Sequence, residues 1–85
     1  MTQRERLVTA RGFALIEALT KAGDKVGLEE LRKLGKGGRA YGSLEDQMER
    51  LRQGKKLRRD LDYVESRLDA IQAGARERLG RTRSG

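Results

Sequence analysis

Cysteine, histidine, proline and tryptophan are all absent from this 85-residue chain. Without cysteine there are no disulfides and no thiolate metal ligands. Without histidine there is no imidazole ligand and no imidazole acid–base chemistry. No proline interrupts the chain, yet 11 glycines do, a pattern of helices punctuated by glycine. Aromatic residues are limited to Phe13, Tyr41 and Tyr63. The longest apolar run, Phe13-Ala14-Leu15-Ile16, is far too short for a transmembrane helix or for the apolar stretch of a signal peptide. A cytosolic chain without membrane contact is the expectation.

What is present is charge: 39% of residues are charged against 35% hydrophobic. A single domain of this size buries only roughly 60–65% of its extended surface, so its core is thin and a partner is the usual supplement. The net charge of +7 is unevenly spread. Residues 35–59 hold 8 basic against 3 acidic side chains, 60–73 hold 1 against 4, and 74–85 hold 4 against 1. A basic middle, an acidic stripe and a basic tail suit polyanions or complementary protein surfaces, including other copies of the chain.

Thr2-Gln3-Arg4-Glu5 reads as a capping box, and Gly23 after Lys21-Ala22 as a left-handed C-terminal cap. The first helix is therefore expected over residues 3–22. Its apolar face is read as Leu7, Val8, Ala14, Leu15, Ala18, Leu19 and Ala22, with Arg11 the only charge in the stripe. Residues 24–34 read as a short helix ending at Gly35, although Val26 and Leu28 alternate like the start of a strand. Residues 35–42, with four glycines, read as a loop. Ser43 followed by Glu45 and Asp46 marks a second helix start. Leu44, Met48 and Leu51 follow on one face, and Leu57, Leu61, Val64, Leu68 and Ile71 then keep a heptad seam. The two stripes are out of phase by one residue across Gly54. Either the helix turns at Gln53-Gly54-Lys55, or it continues and shows its halves to different partners.

Few motifs carry chemistry. Gly35-Lys36-Gly37-Gly38-Arg39 lacks the spacing of a phosphate-binding loop and reads as a connector. The loop is also too long for the turn of a helix-turn-helix DNA reader. Asp62, Glu65 and Asp69 share a helical face, but one straight helix rarely converges enough oxygens on a cation. A solvent face or a charge partner for another subunit fits them better, with Arg67 and Arg76 as mates. Ser43 and Ser66 have no base beside them in sequence. No enzymatic activity and no cofactor are expected. The densest basic stretch, Arg50, Arg52, Lys55, Lys56, Arg58 and Arg59, is the candidate patch for an anionic partner, DNA included. The seam Leu57, Leu61, Val64, Leu68 and Ile71 either docks a partner helix or packs against the first helix of its own chain. Arg76, Arg78, Arg81 and Arg83 form a candidate docking tail.

The order of these segments carries a resemblance. An Ala-rich first helix (Ala10, Ala14, Ala18) is followed by Gly37-Gly38-Arg39-Ala40-Tyr41-Gly42-Ser43-Leu44-Glu45, then Met48-Glu49-Arg50-Leu51 and a Leu-rich helix through Tyr63 and Leu68. This resembles the small head–tail joining (gpW-like) proteins of tailed bacteriophages, in which two helices flank a short hairpin. The resemblance implies a structural part of the virion, assembled in the bacterial host cytoplasm. Copies would form a ring and contact the portal and a neck protein, with basic residues toward the DNA channel or an acidic neighbour. It also implies a β-hairpin where residues 28–34 read as helix, so both readings stand at this point.

The expected fold is therefore mainly α. It has two or three helices and a Gly-rich connector, with a small β-hairpin (α+β) between helix 1 and the long C-terminal helical region as the alternative. Residues 1–73 would form one small helical domain and 74–85 a basic tail, flexible unless docked on a partner. The expected function is a non-enzymatic neck adaptor acting by stoichiometric packing. The alternative is a small basic nucleic-acid-binding or host-regulatory protein.

Overall fold

The computed structural model describes residues 2–34, 42–57 and 60–84, with backbone alone for 81–84. The described residues form four helices: α1 (Gln3–Ala22), α2 (Lys25–Arg32), α3 (Leu44–Arg52) and α4 (Leu61–Ser84). The mainly helical class is as expected, with more helices than the two or three anticipated. No strand occurs among the described residues. Where the hairpin was the alternative, a single antiparallel bridge joins Leu34 to Ser43. One bridge closes a loop but does not make a ladder, and a lone two-residue pairing has no hydrophobic face to support it. The Gly35–Arg39 connector lies outside the described residues.

Local signals explain the helix ends. The Thr2 hydroxyl accepts from the Glu5 amide at 3.1 Å, and the Glu5 carboxylate accepts from the Thr2 amide at 2.8 Å. That reciprocal bonding holds the Glu5 carboxyl below the usual carboxylate range. Gly23 closes α1 in the left-handed region (φ 67), where a side chain would be strained. Ser43 and Asp46 form a second capping box at α3. The helix does turn after Arg52: Gly54 takes φ 74, and the Lys55 amide donates to the Arg50 carbonyl at 2.8 Å. This turn accommodates the one-residue phase change between the two apolar stripes.

Cross-helix pairs set the arrangement. Arg4 bonds Asp62 and Glu65, and Arg11 bonds Asp69 and Gln72. Numbers rise together on both helices, so α1 and α4 run parallel. Asp24 meets Arg78 and Glu30 meets Arg67, so α2 runs antiparallel to α4. Gly12 of α1 lies against Met48 of α3, while Glu5 shares a hollow with Gly54, Lys55 and Lys56. Thus α3 also runs opposite to α1. The fold has two long parallel helices and a returning limb made of α2 and α3. Asp62 and Asp69 do face solvent, as one of the two readings has it, and with Glu65 they pair with Arg4 and Arg11 of the same chain and not with another subunit.

The core contains Val8, Leu19, Leu31, Leu44, Met48, Leu51, Val64, Leu68, Ile71 and Ala75, drawn from all four helices. The face of α1 differs from expectation. Val8, Gly12 and Leu19 are buried, whereas Leu7 is 64% exposed and Ala14, Ala18 and Ala22 are exposed. α1 is flanked by three helices, and α3 approaches it closely at Gly12, so glycine, and not alanine, lines the contact.

Asp24 links helix capping to tertiary packing. Its Oδ1 accepts from the Gly27 amide at 3.2 Å as the N-cap of α2. Both of its oxygens also accept from Arg78, at 3.0 and 2.7 Å. The Arg78 guanidinium is the main cause holding the Asp24 carboxyl below its usual range. A carboxylate depressed in the folded state adds stability that is present at neutral pH. That stability is lost as pH falls below about 4 and through the folded value. Asp24→Asn keeps the capping oxygen and removes the charge. Its thermal midpoint should lie below wild type at pH 7, and the gap should close on acidification. Circular-dichroism melts between neutral and acid pH measure this.

Candidate interaction surface

The seam residues are used inside the chain. Val64, Leu68 and Ile71 are buried in its own core, and Leu57 and Leu61 are half-buried against it. Of the two readings of this stripe, same-chain packing is the one observed. Its partners are helices of the returning limb as well as α1. The physical reason is that α4 touches every other helix, so its apolar face has no side left for an external seam.

The basic stretch is divided among roles. Arg50 donates through Nε to the Lys56 carbonyl at 2.8 Å and pins the turn after α3. Arg52 pairs with Glu49 one turn back and keeps that carboxyl below its usual range. Lys55 and Lys56 are exposed and make no ion pair among the described residues. Arg58 and Arg59 lie outside the described residues. Within those described, Arg50, Lys55 and Lys56 are the members of the six-cation patch that make no ion pair, with Arg50 held to the turn by a carbonyl.

The expected tail is helical as far as it is described. Residues 74–84 continue α4 to Ser84, Ala75 is buried, and Arg78 grips Asp24 in a two-pronged fork. Residues this poor in leucine form helix here because α1 and the α1–α2 turn supply the contacts their own composition lacks. Arg76 makes no ion pair among the described residues, and the side chains of Arg81 and Arg83 lie outside them.

Four large apolar side chains are exposed among the described residues, Leu7 (64%), Leu34 (55%), Val26 and Leu79, and the last two lie together at this end of the bundle. Val26 is 51% exposed and Leu79 is 48% exposed. Both line a hollow of about 340 Å³ with Lys25, Ala75 and Arg78. Leu79 also walls a second hollow of about 180 Å³ between α1 and α4, shared with Leu15, Ala18, Ala22, Ala75 and Arg76. Val26 borders a third, of about 220 Å³, beside Glu30 and Arg67. These volumes lie at or below the low end of the roughly 300–1,000 Å³ typical of small-molecule sites. They suit side chains of a docked segment. The acids here are already engaged: Asp24 by Arg78, and Glu30 by Arg67, which lowers the Glu30 carboxyl as well.

Among the described residues no cluster of acidic side chains could hold a metal ion, and no helix is long and apolar enough to cross a membrane. Comparison with known proteins found no matching family model, no similar curated protein and no similar solved structure.

Sequence reasoning missed Val26, Leu79 and Lys25 as surface-forming residues. The available signal was the lone leucine, Leu79, in an arginine-rich segment, seven residues after Gln72 and eleven after Leu68 on the α4 face. Val26 and Lys25 had no signal, because only the α1–α2 turn brings them beside α4.

Proposed function

We propose that this chain is a structural assembly protein that acts by stoichiometric packing on a larger protein partner, as a head–tail joining protein of a tailed phage does. The observation that carries the reading is the apolar pair Val26 and Leu79, left exposed together beside hollows at one end of the bundle. Exposed apolar side chains gathered at one place favour a protein partner over free solution. The phage context comes from the resemblance in residues 37–45 and 48–51 and in the leucine-rich helix through Leu68. The two long helices are compatible with it, whereas the β-hairpin it implies between them is absent among the described residues. Portal and neck proteins, and other copies of this chain, are the proposed partners. The virion is its proposed location.

Leu61 is half-buried against the chain's own core, so a charge there would disturb the fold, and loss of assembly in such a variant would say nothing about docking. Deleting the gene from a phage that carries it tests the role directly. Heads and tails should accumulate unjoined in electron micrographs, and joined particles at normal yield would overturn the reading. The alternative, a small basic nucleic-acid-binding protein, rests on Lys55 and Lys56 and predicts that joining survives the deletion.

A further inference from the structure

We infer that the Val26–Leu79 end of the bundle receives an acidic amphipathic helix from the partner protein. This rests on the reading of the chain as a docking protein and names the site and the chemistry of the docked segment. The apolar elements are Val26 and Leu79, standing above the hollows floored by Ala75 and walled by Ala18 and Ala22. An inserted side chain would be held between α1, the α1–α2 turn and α4. Small residues in those walls let a helix approach closely, and its apolar face fits by the usual helix-in-groove mode.

Charge selects the partner's sign. Asp24 and Glu30, the acids lining the three hollows, are already paired with Arg78 and Arg67. Lys25 and Arg76, which line the two hollows that share Leu79, make no ion pair among the described residues. An incoming acidic segment finds two cations without an ion pair among the described residues flanking the apolar pair. A basic one meets repulsion, reinforced by the net charge of +7. Complementary charge of this kind steers encounter and fixes orientation more than it adds affinity.

The probe is a synthetic peptide of about 18 residues, five helical turns, with leucine on one face and glutamate on both flanks. A control peptide carries lysine in place of glutamate. Added to the full-length, isotope-labelled chain, the glutamate peptide should shift amide resonances around Lys25, Val26, Ala75 and Leu79, and the lysine peptide should not. Leu79→Asp and, separately, Lys25→Glu with Arg76→Glu should each weaken binding about tenfold or more, with helix content unchanged. Equal response to both peptides, shifts confined to Lys55 and Lys56, or no response at all would overturn the inference. So would self-association of the chain that Leu79→Asp abolishes, because the surface would then be covered by a second copy. Unjoined particles on gene deletion with a silent titration would reject this surface and leave the assembly role. A positive titration with normal joining would do the reverse.

Discussion

Leu68→Ala should lower the free energy of unfolding by about 2–5 kcal/mol, the range for emptying a leucine site in a packed core. Leu68 is fully buried in the cluster to which all four helices contribute. A chain of 85 residues, at roughly 0.05–0.15 kcal/mol per residue, holds only about 4–13 kcal/mol in total. The substitution therefore removes a large share of the whole. Leu7→Ala is the control: Leu7 is mostly exposed, and its loss should stay within about 0.5 kcal/mol. Urea titration followed by circular dichroism separates the two. The wild-type midpoint should also be the same at two protein concentrations tenfold apart, since Val64, Leu68 and Ile71 are buried by the chain's own helices. A midpoint that rose with concentration would show that the folded chain is stabilised by association with its own copies.

The second large effect is expected at Gly12. A Cβ there would sit 2.1 Å from the Met48 Cε, 2.8 Å from Sδ and 3.3 Å from Cγ. Met48 is fully buried, so its terminal methyl has no solvent into which to swing. In an open helix interior, replacing glycine gains up to about 1 kcal/mol of helix propensity. At Gly12 overpacking outweighs that gain, and Gly12→Val should cost about 1–3 kcal/mol. The diagnostic is a double-mutant cycle. Gly12→Val combined with Met48→Ala should be more stable than the sum of the single effects predicts, because each relieves the defect of the other. Additive losses would show that the two side chains do not compete for the same space.

These two sites mark where reading the sequence succeeds and where it stops. Leu68 belongs to a heptad stripe visible in the sequence, and period alone places it on an apolar face, though not what covers that face. Gly12 offers no such signal, since a glycine in a helical stretch reads as a weak point and not as a contact. The α1 face differs from its sequence pattern for the same reason. Leu7 and Val8 are adjacent apolar residues, and period alone does not say which of them the neighbouring helix covers. The acidic stripe 62, 65, 69 was visible as a face. Its mates Arg4 and Arg11 lie 58 residues away and meet it only because α1 and α4 run parallel.

Local chemistry in the sequence determined the capping box at Thr2, the helix start at Ser43, the glycine stop at residue 23 and the predominance of helix, while the choice between a turn and a continuous helix at Gly54 stayed open. Each depends on hydrogen bonds and backbone torsions within a few residues, which composition and spacing encode directly. The tertiary structure alone decided that the α4 seam is internal. It also decided that residues 74–84 continue the helix, and that Val26, Lys25, Arg76 and Leu79 gather at one end. Those outcomes depend on which helices become neighbours, and that choice belongs to the joint burial of apolar area and pairing of charge across the whole chain.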